Sequence, residues 1–152
     1  MKRRILLVDD DLAVLLTLKA VLEFHGFEVE TAASSAEAMA RMASGVFQMV
    51  ISDLRMETAD AGLEVLRAAR GQAYDPATAL LTAYPPSGEH WFGKPGDGNA
   101  WNGVTSDSLL IKPLGTSDLL RQVEALLVRH ADKQLRQRNA SSSAHEAARR
   151  AG

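Results

Sequence analysis

The sequence predicts an α/β fold in which helices cover both faces of a parallel sheet. Short apolar runs of strand length alternate with longer stretches in which apolar residues recur at helical spacing. Ile5–Val8 is a continuous apolar run, which is typical of a central strand buried on both faces. An acidic stretch follows it, and a helical pattern begins directly afterwards. The 152 residues, 46% of them hydrophobic, are enough for one such domain with a short extension.

Five strands and four regular helices are predicted from the positions of apolar runs, glycines and prolines. The strands are expected at 5–8, 27–31, 46–52, 77–81 and 109–111. The first helix is expected to end near Gly26, the next two to span about 34–45 and 62–70, and the last to begin near Ser117. Ser34 and Glu37 have the spacing of a capping box, which indicates where the second helix begins.

Two segments interrupt the alternation. Residues 85–106 contain three prolines and five glycines, which excludes a regular helix of ordinary length. We therefore predict that the fourth helix is degenerate or replaced by a loop. Residues 131–152 are polar and lack an apolar stripe, which predicts a frayed or disordered tail behind a domain of residues 1–130.

Charge and composition exclude several classes of function. A formal net charge of -2 gives no electrostatic basis for binding nucleic acid. The chain has no cysteine, so disulfides, thiolate metal sites and a cysteine nucleophile are excluded. The apolar runs are too short to span a bilayer, and the basic N-terminus lacks the apolar region of a signal peptide. These features predict a cytoplasmic protein with no membrane partner.

Polar residues stand at the ends of four predicted strands. They are Asp9 with Asp10, Asp53, Thr82 and Lys112. Ligands of open parallel sheets bind at the carboxyl ends of the strands, so these side chains are expected at one edge. Converging carboxylates repel each other unless a cation joins them, and oxygen ligands with water available suit Mg²⁺.

This set of groups fits phosphoryl chemistry. Asp53 is expected to attack phosphorus and form an acyl phosphate, while a cation and Lys112 neutralise charge on the transferring group. Thr82 is placed to donate a hydrogen bond to a phosphoryl oxygen. An isolated aspartate at a strand end is usually a turn residue or a helix cap, but four strand ends carrying suitable groups indicate a site.

Four motifs together resemble the receiver domain of two-component response regulators over about residues 1–130. They are Ile5–Asp11, Asp53–Met56, Leu81–Tyr84 and Ile111–Pro113. The resemblance implies a flavodoxin-like (βα)₅ fold, a doubly wound, parallel, five-stranded sheet. It also implies that Asp53 is the phosphoryl acceptor and that Thr82 and Lys112 assist it. The implied Mg²⁺ ligands, or their close support, are Asp9, Asp10, Asp53 and the backbone carbonyl of Arg55.

The resemblance further implies the partners of a phosphorelay. The donor would be a histidine kinase or a histidine phosphotransfer protein, and the receiver would catalyse only its own phosphorylation and dephosphorylation rather than act as an enzyme. We expect a single-domain response regulator that signals by binding another, unidentified protein. A homodimer stays an open alternative. Asp11 lies outside the implied ligand set and is expected to open the first helix.

Two positions and the loop 85–106 depart from the family pattern. Glu57 stands where these proteins usually have proline, and it is expected either to orient water for dephosphorylation or to point to solvent. Leu109 replaces the usual aromatic switch residue, so we hypothesise that the loop 85–106 orders on phosphorylation instead. Trp91 and Trp101 in that loop are interpreted as plugs over exposed core or as anchors for a partner.

Two alternatives remain at the level of sequence. Asp9 and Asp11 have the Asp-x-Asp spacing of haloacid-dehalogenase-like phosphatases, in which Asp9 would be the nucleophile and Asp11 the acid/base. The residues after Asp11 do not match that family. The other alternative is an interaction module that has the receiver fold but is not phosphorylated.

Overall fold

The computed structural model describes residues 2–58, 61–82, 91–92, 99–101, 104–111 and 115–151. Its strands are β1 (Arg4–Val8), β2 (Glu28–Ala32), β3 (Met49–Asp53), β4 (Ala77–Thr82), β5 (Trp91–Phe92), β6 (Asn99–Trp101), β7 (Val104–Ser106) and β8 (Ser108–Ile111). Its helices are α1 (Leu12–Phe24), α2 (Ser35–Ser44), α3 (Ala61–Arg70) and α4 (Thr116–Ala151).

Five parallel strands form the main sheet in the order β2-β1-β3-β4-β8. This order confirms the predicted doubly wound, flavodoxin-like sheet. The chain extends the sheet in one direction from β1 to β2 and in the other direction from β3 onward. Connections therefore leave β1 and β3 toward opposite faces, and a crevice opens at the carboxyl ends of these two strands.

Alternating residues of the strands supply two apolar layers. On one face Ile5, Met49 and Ile51 pack with residues of α1 and α4. On the other face Leu6 and Val50 pack with α2 and α3. β3 and β4 are buried along their whole length, as expected for strands covered on both faces.

The caps of the first two helices agree with the sequence patterns. Asp11 is the N-cap of α1, and its carboxylate accepts hydrogen bonds from the N–H groups of Ala13 (3.0 Å) and Val14 (3.3 Å). Ser34 caps α2 by accepting from the N–H of Glu37 at 3.2 Å. The predicted helix starts are therefore confirmed at both positions.

The segment between β4 and β8 differs from the predicted loop. In its described part, β5, β6 and β7 pair into a small antiparallel sheet. β7 contacts α3 and β4. Glycine and proline exclude a helix here, whereas strand pairing depends on partners that a local pattern does not reveal.

The C-terminal segment also differs from its prediction, because α4 continues as one helix to Ala151 where a frayed or disordered tail was expected. Residues 131–140 are rich in alanine, lysine, glutamine and arginine, which favour helix without an apolar stripe. Gln134 also fixes the helix to the body, since its Nε2 donates to the carbonyl oxygen and to Oδ2 of Asp75, both at 3.1 Å. Among the described residues, none of the helices has the length and apolar character needed to cross a bilayer.

Candidate functional site

Three aspartates meet in the crevice beside β1 and β3. Each of Asp9, Asp10 and Asp53 offers one carboxylate oxygen, and these three oxygens lie within 4.8 Å of one another. Asp9 and Asp53 are buried, whereas Asp10 is exposed. The structure therefore brings together the acidic residues that the sequence placed at the ends of two separate strands.

The backbone around Asp53 is fixed on both sides. Asp53 lies opposite Leu81 in the register of β3 and β4, and the next residue, Leu54, donates from its N–H to the carbonyl oxygen of Leu81 at 3.0 Å. The N–H of Gly62 donates to the carbonyl oxygen of Leu54 at 2.9 Å, which holds the start of α3 against the strand. These backbone contacts fix the position of the Asp53 carboxylate at the end of β3.

Asp9 is held in a similar way. Its N–H donates to the carbonyl oxygen of Ala32 at 3.1 Å, which continues the β1–β2 ladder. Its Oδ1 accepts from the N–H of Asp11 at 3.0 Å. The carboxylate of Asp11 is directed to the first turn of α1 instead. The three neighbouring aspartates therefore separate into two pocket residues and one helix cap.

Thr82 ends β4 at the same edge of the sheet and is 2% exposed. It lies opposite Ile111 in the register of β4 and β8, one residue beyond the pair formed by Asp53 and Leu81. Arg55 is exposed and lies in the described loop after β3. Lys112 falls outside the described residues, so its predicted role stays a prediction.

Glu57 is exposed, in line with the expectation that it points to solvent, but its carboxylate is also bonded to α2. Its Oε1 accepts hydrogen bonds from the N–H of Ser35 at 2.9 Å and from the Ser35 hydroxyl. The bond from that hydroxyl, together with bonds from the N–H groups of Glu57 and Ser35, lowers the pKa of the Glu57 carboxyl. The side chain thus joins the loop after β3 to the first turn of α2. No sequence pattern could have found this contact, because its partners lie 22 positions apart.

The chemistry of the acidic cluster fits a hard divalent cation. All of its donors are carboxylate oxygens, which Mg²⁺ prefers over nitrogen or sulfur. The exposure of Asp10 leaves one side of the cluster open to water, and Mg²⁺ keeps several waters when it is bound by few protein ligands. Three carboxylates this close also repel one another in the absence of a cation.

Comparison with known proteins identifies the family. Residues 5–89 match the family model of the response regulator receiver domain, and the chain belongs to this family. Two curated relatives are the Response regulator MprA of Mycobacterium tuberculosis (strain ATCC 25177 / H37Ra) and that of Mycolicibacterium vanbaalenii. The first is 38% identical over 129 residues, covering 85% of this chain and 52% of the relative. The second is 38% identical over 126 residues, covering 83% and 51%. The chain thus spans about half the length of these relatives.

Solved structures agree with this assignment. A CheY-like response regulator receiver domain from Methanospirillum hungatei JF-1 has a TM-score of 0.71 and 26% identity, covering 88% of this chain and 99% of that one. The response regulator TrrA of Thermotoga maritima, solved in complex with Mg²⁺-BeF, has a TM-score of 0.62 and 28% identity, covering 82% and 98%. The chain is accordingly a receiver domain of two-component signalling with a CheY-like fold.

Proposed function

We propose that this receiver accepts a phosphoryl group on Asp53 from a phosphohistidine donor in a Mg²⁺-dependent reaction. The observation that carries the proposal is the convergence of the Asp9, Asp10 and Asp53 carboxylates within 4.8 Å at the crevice of the sheet. The complex of TrrA with Mg²⁺-BeF supports it, since that receiver is related to this chain.

The transfer is a nucleophilic displacement at phosphorus. An oxygen of the Asp53 carboxylate attacks and forms the O–P bond of an acyl phosphate. The N–P bond of the donor breaks, its electron pair stays on the imidazole nitrogen, and that nitrogen takes up a proton from water. Asp9, Asp10, Asp53 and the carbonyl oxygen of Arg55 would hold Mg²⁺, which would neutralise negative charge at the phosphoryl oxygens. Lys112 adds a second positive charge, and Thr82 donates its hydroxyl hydrogen to a phosphoryl oxygen.

The surface beside the pocket suits a protein donor. Leu12 is the first residue of α1, directly after the acidic residues, and Leu16 lies one turn further on. The two residues are 66% and 57% exposed. They lie four residues apart and therefore share one face of the helix. An apolar surface next to the acceptor can bind a histidine kinase or a histidine phosphotransfer protein while the phosphohistidine reaches Asp53.

The geometry favours this reaction over the phosphatase alternative. That alternative needs Asp11 as an acid/base beside the Asp9 nucleophile, but the Asp11 carboxylate caps α1. It also favours phosphorylation over an inert interaction module, because clustered carboxylates lower stability unless they bind a cation. The proposal includes a cytoplasmic location, self-catalysed phosphorylation only, and output through binding to another protein.

A small-molecule donor tests the proposal without a cognate kinase. The protein is incubated with phosphoramidate and Mg²⁺, and its intact mass is measured. We expect the wild type to gain one phosphoryl group, and we expect EDTA or Asp53→Asn to prevent the gain. Asp11→Asn is the matched control, since asparagine also caps helices and the acceptor is untouched. Equal phosphorylation of Asp53→Asn and the wild type would overturn the proposal.

A further inference from the structure

The contact between Glu57 and Ser35 joins the loop after β3 to the first turn of α2. One oxygen of Glu57 accepts from both the N–H and the hydroxyl of Ser35, the first residue of α2. Ser35 is buried at its position, whereas Glu57 is exposed. A long carboxylate side chain therefore reaches across the surface and binds a fixed point of the body.

Backbone hydrogen bonds also hold the described part of the loop that carries Glu57. Leu54 at its start is bonded to Leu81 and Gly62. The N–H of Met56 donates to the carbonyl oxygen of Thr58 at 3.0 Å, so the chain turns tightly at Glu57 itself. Arg55 therefore lies between the strand end on one side and this turn on the other.

We infer that Glu57 is a positioning residue that fixes the carbonyl oxygen of Arg55 beside Asp53 for Mg²⁺. The inference rests on the proposed function, because it assumes that this carbonyl completes the metal site. Anchoring the turn at Glu57 to α2 limits the rotation of the peptide between Arg55 and Met56. A ligand that is already oriented loses less conformational freedom when the ion binds.

The same contact keeps the charge of Glu57 out of the pocket. Its carboxylate is directed to the N-terminus of α2, where unpaired N–H groups and the helix dipole stabilise a negative charge. Glu57 therefore acts on the metal site through the backbone of Arg55 rather than as a further ligand or as a group that orients water.

Mg²⁺ titrations of matched variants test this role. Initial rates of phosphorylation by phosphoramidate are measured against Mg²⁺ concentration, which gives a half-saturating concentration and a limiting rate. We expect Glu57→Ala to raise the half-saturating concentration by about tenfold or more, the usual effect of losing a group that orients a metal ligand. We expect its limiting rate at saturating Mg²⁺ to stay close to that of the wild type.

Three further variants separate position from charge and from stability. Glu57→Gln keeps the accepting oxygen, so its Mg²⁺ dependence should match the wild type, and Ser35→Ala should fall between the wild type and Glu57→Ala. Glu37→Ala removes another carboxylate from the first turn of α2 without touching the Glu57 loop, and it should leave the dependence unchanged. Unfolding temperatures without Mg²⁺ show whether a variant only loses stability.

The outcomes distinguish this inference from the proposed function. If the wild type takes up no phosphoryl group with Mg²⁺, the proposed function fails. If the wild type reacts and Glu57→Ala has the same half-saturating concentration, the function stands and the role of Glu57 is wrong. If Glu57→Gln or Glu37→Ala raises the half-saturating Mg²⁺ concentration as much as Glu57→Ala does, charge matters instead of position. That result would also overturn the inference.

Discussion

Gly62 lies directly against the backbone of Asp53. A Cβ atom at position 62 would stand 2.1 Å from the carbonyl oxygen of Asp53 and 2.7 Å from the Cα of Leu54. Both of these are backbone atoms at a buried strand end, so neither can move without moving Asp53. Glycine at this position therefore lets the first turn of α3 approach Asp53, the proposed phosphoryl acceptor.

Replacing Gly62 by alanine is expected to lower both stability and phosphorylation. The added methyl group must push α3 away from β3, and such overpacking costs about 1–3 kcal/mol in the free energy of unfolding. Gly71→Ala is the matched control, because its Cβ would meet its nearest neighbour at 3.5 Å. Urea unfolding and the phosphoramidate rate check both variants. Equal behaviour of the two would show that the close approach at Gly62 has no consequence.

Asp107 lies between β7 and β8, and its side chain bonds to Thr78 near the start of β4. Its Oδ2 accepts from the N–H of Thr78 at 2.9 Å and from the Thr78 hydroxyl at 3.1 Å. Asp107→Ala leaves these buried donors without the carboxylate, so we expect a loss of about 1–3 kcal/mol in the free energy of unfolding. Asp132→Ala, which removes an exposed pair with Arg136, should change it by only about 0.5 kcal/mol. Urea unfolding measures both, and equal losses would contradict the account.

Tyr74 gives a prediction at alkaline pH. Burial raises the pKa of its phenol above the ordinary 10.0, although the charge of Arg4 acts in the opposite direction. The folded state therefore disfavours the phenolate. The contribution of the neutral Tyr74 phenol to stability is complete below the ordinary pKa. It is lost as the pH rises through the raised pKa.

Absorbance of tyrosinate during an alkaline titration checks this shift. The chain has two tyrosines, so the difference between the wild type and Tyr74→Phe isolates the titration of Tyr74. We expect its midpoint above 10.0, and we expect the substitution to reduce the fall in stability at high pH. A midpoint at or below the ordinary value would show that partial burial does not raise the pKa of this phenol.

Mg²⁺ should stabilise the fold through the acidic cluster. At a concentration about one hundred times the dissociation constant, the free energy of unfolding should rise by about 2.7 kcal/mol. Asp10→Asn removes one of the three repelling carboxylates, so we expect a higher unfolding temperature without Mg²⁺ and little further gain with it. Thermal unfolding with and without the ion measures this. Lower stability of Asp10→Asn without Mg²⁺ would argue against repulsion in the cluster.

The sequence predicted the main sheet and the acidic pocket because their signals are local. A continuous apolar run ends at Asp9 and another at Asp53, and parallel strands bring such ends together whatever lies between them. The helix caps at Asp11 and Ser34 were equally predictable, since each cap bonds within its own first turn.

The remaining features depend on contacts between distant positions. Glu57 binds Ser35 and Asp107 binds Thr78, over 22 and 29 positions, and no periodic pattern connects such pairs. The strands β5 to β7 were not predicted, because the glycines and prolines around them argue against a helix but do not indicate strand pairing. The length of α4 was not predicted because residues 131–140 have no apolar stripe to indicate a packed helix. They favour helix only by propensity, and their anchor at Asp75 is a tertiary contact.

The identity of the modified aspartate is the most direct test of the central claim. The protein is phosphorylated by acetyl phosphate with Mg²⁺, reduced with borohydride to convert the acyl phosphate to a stable alcohol, and mapped by peptide mass spectrometry. We expect the label on Asp53 and its complete loss in Asp53→Asn. A label on Asp9 would contradict the account, because Asp9 would then be the nucleophile of a phosphatase rather than a ligand of the metal.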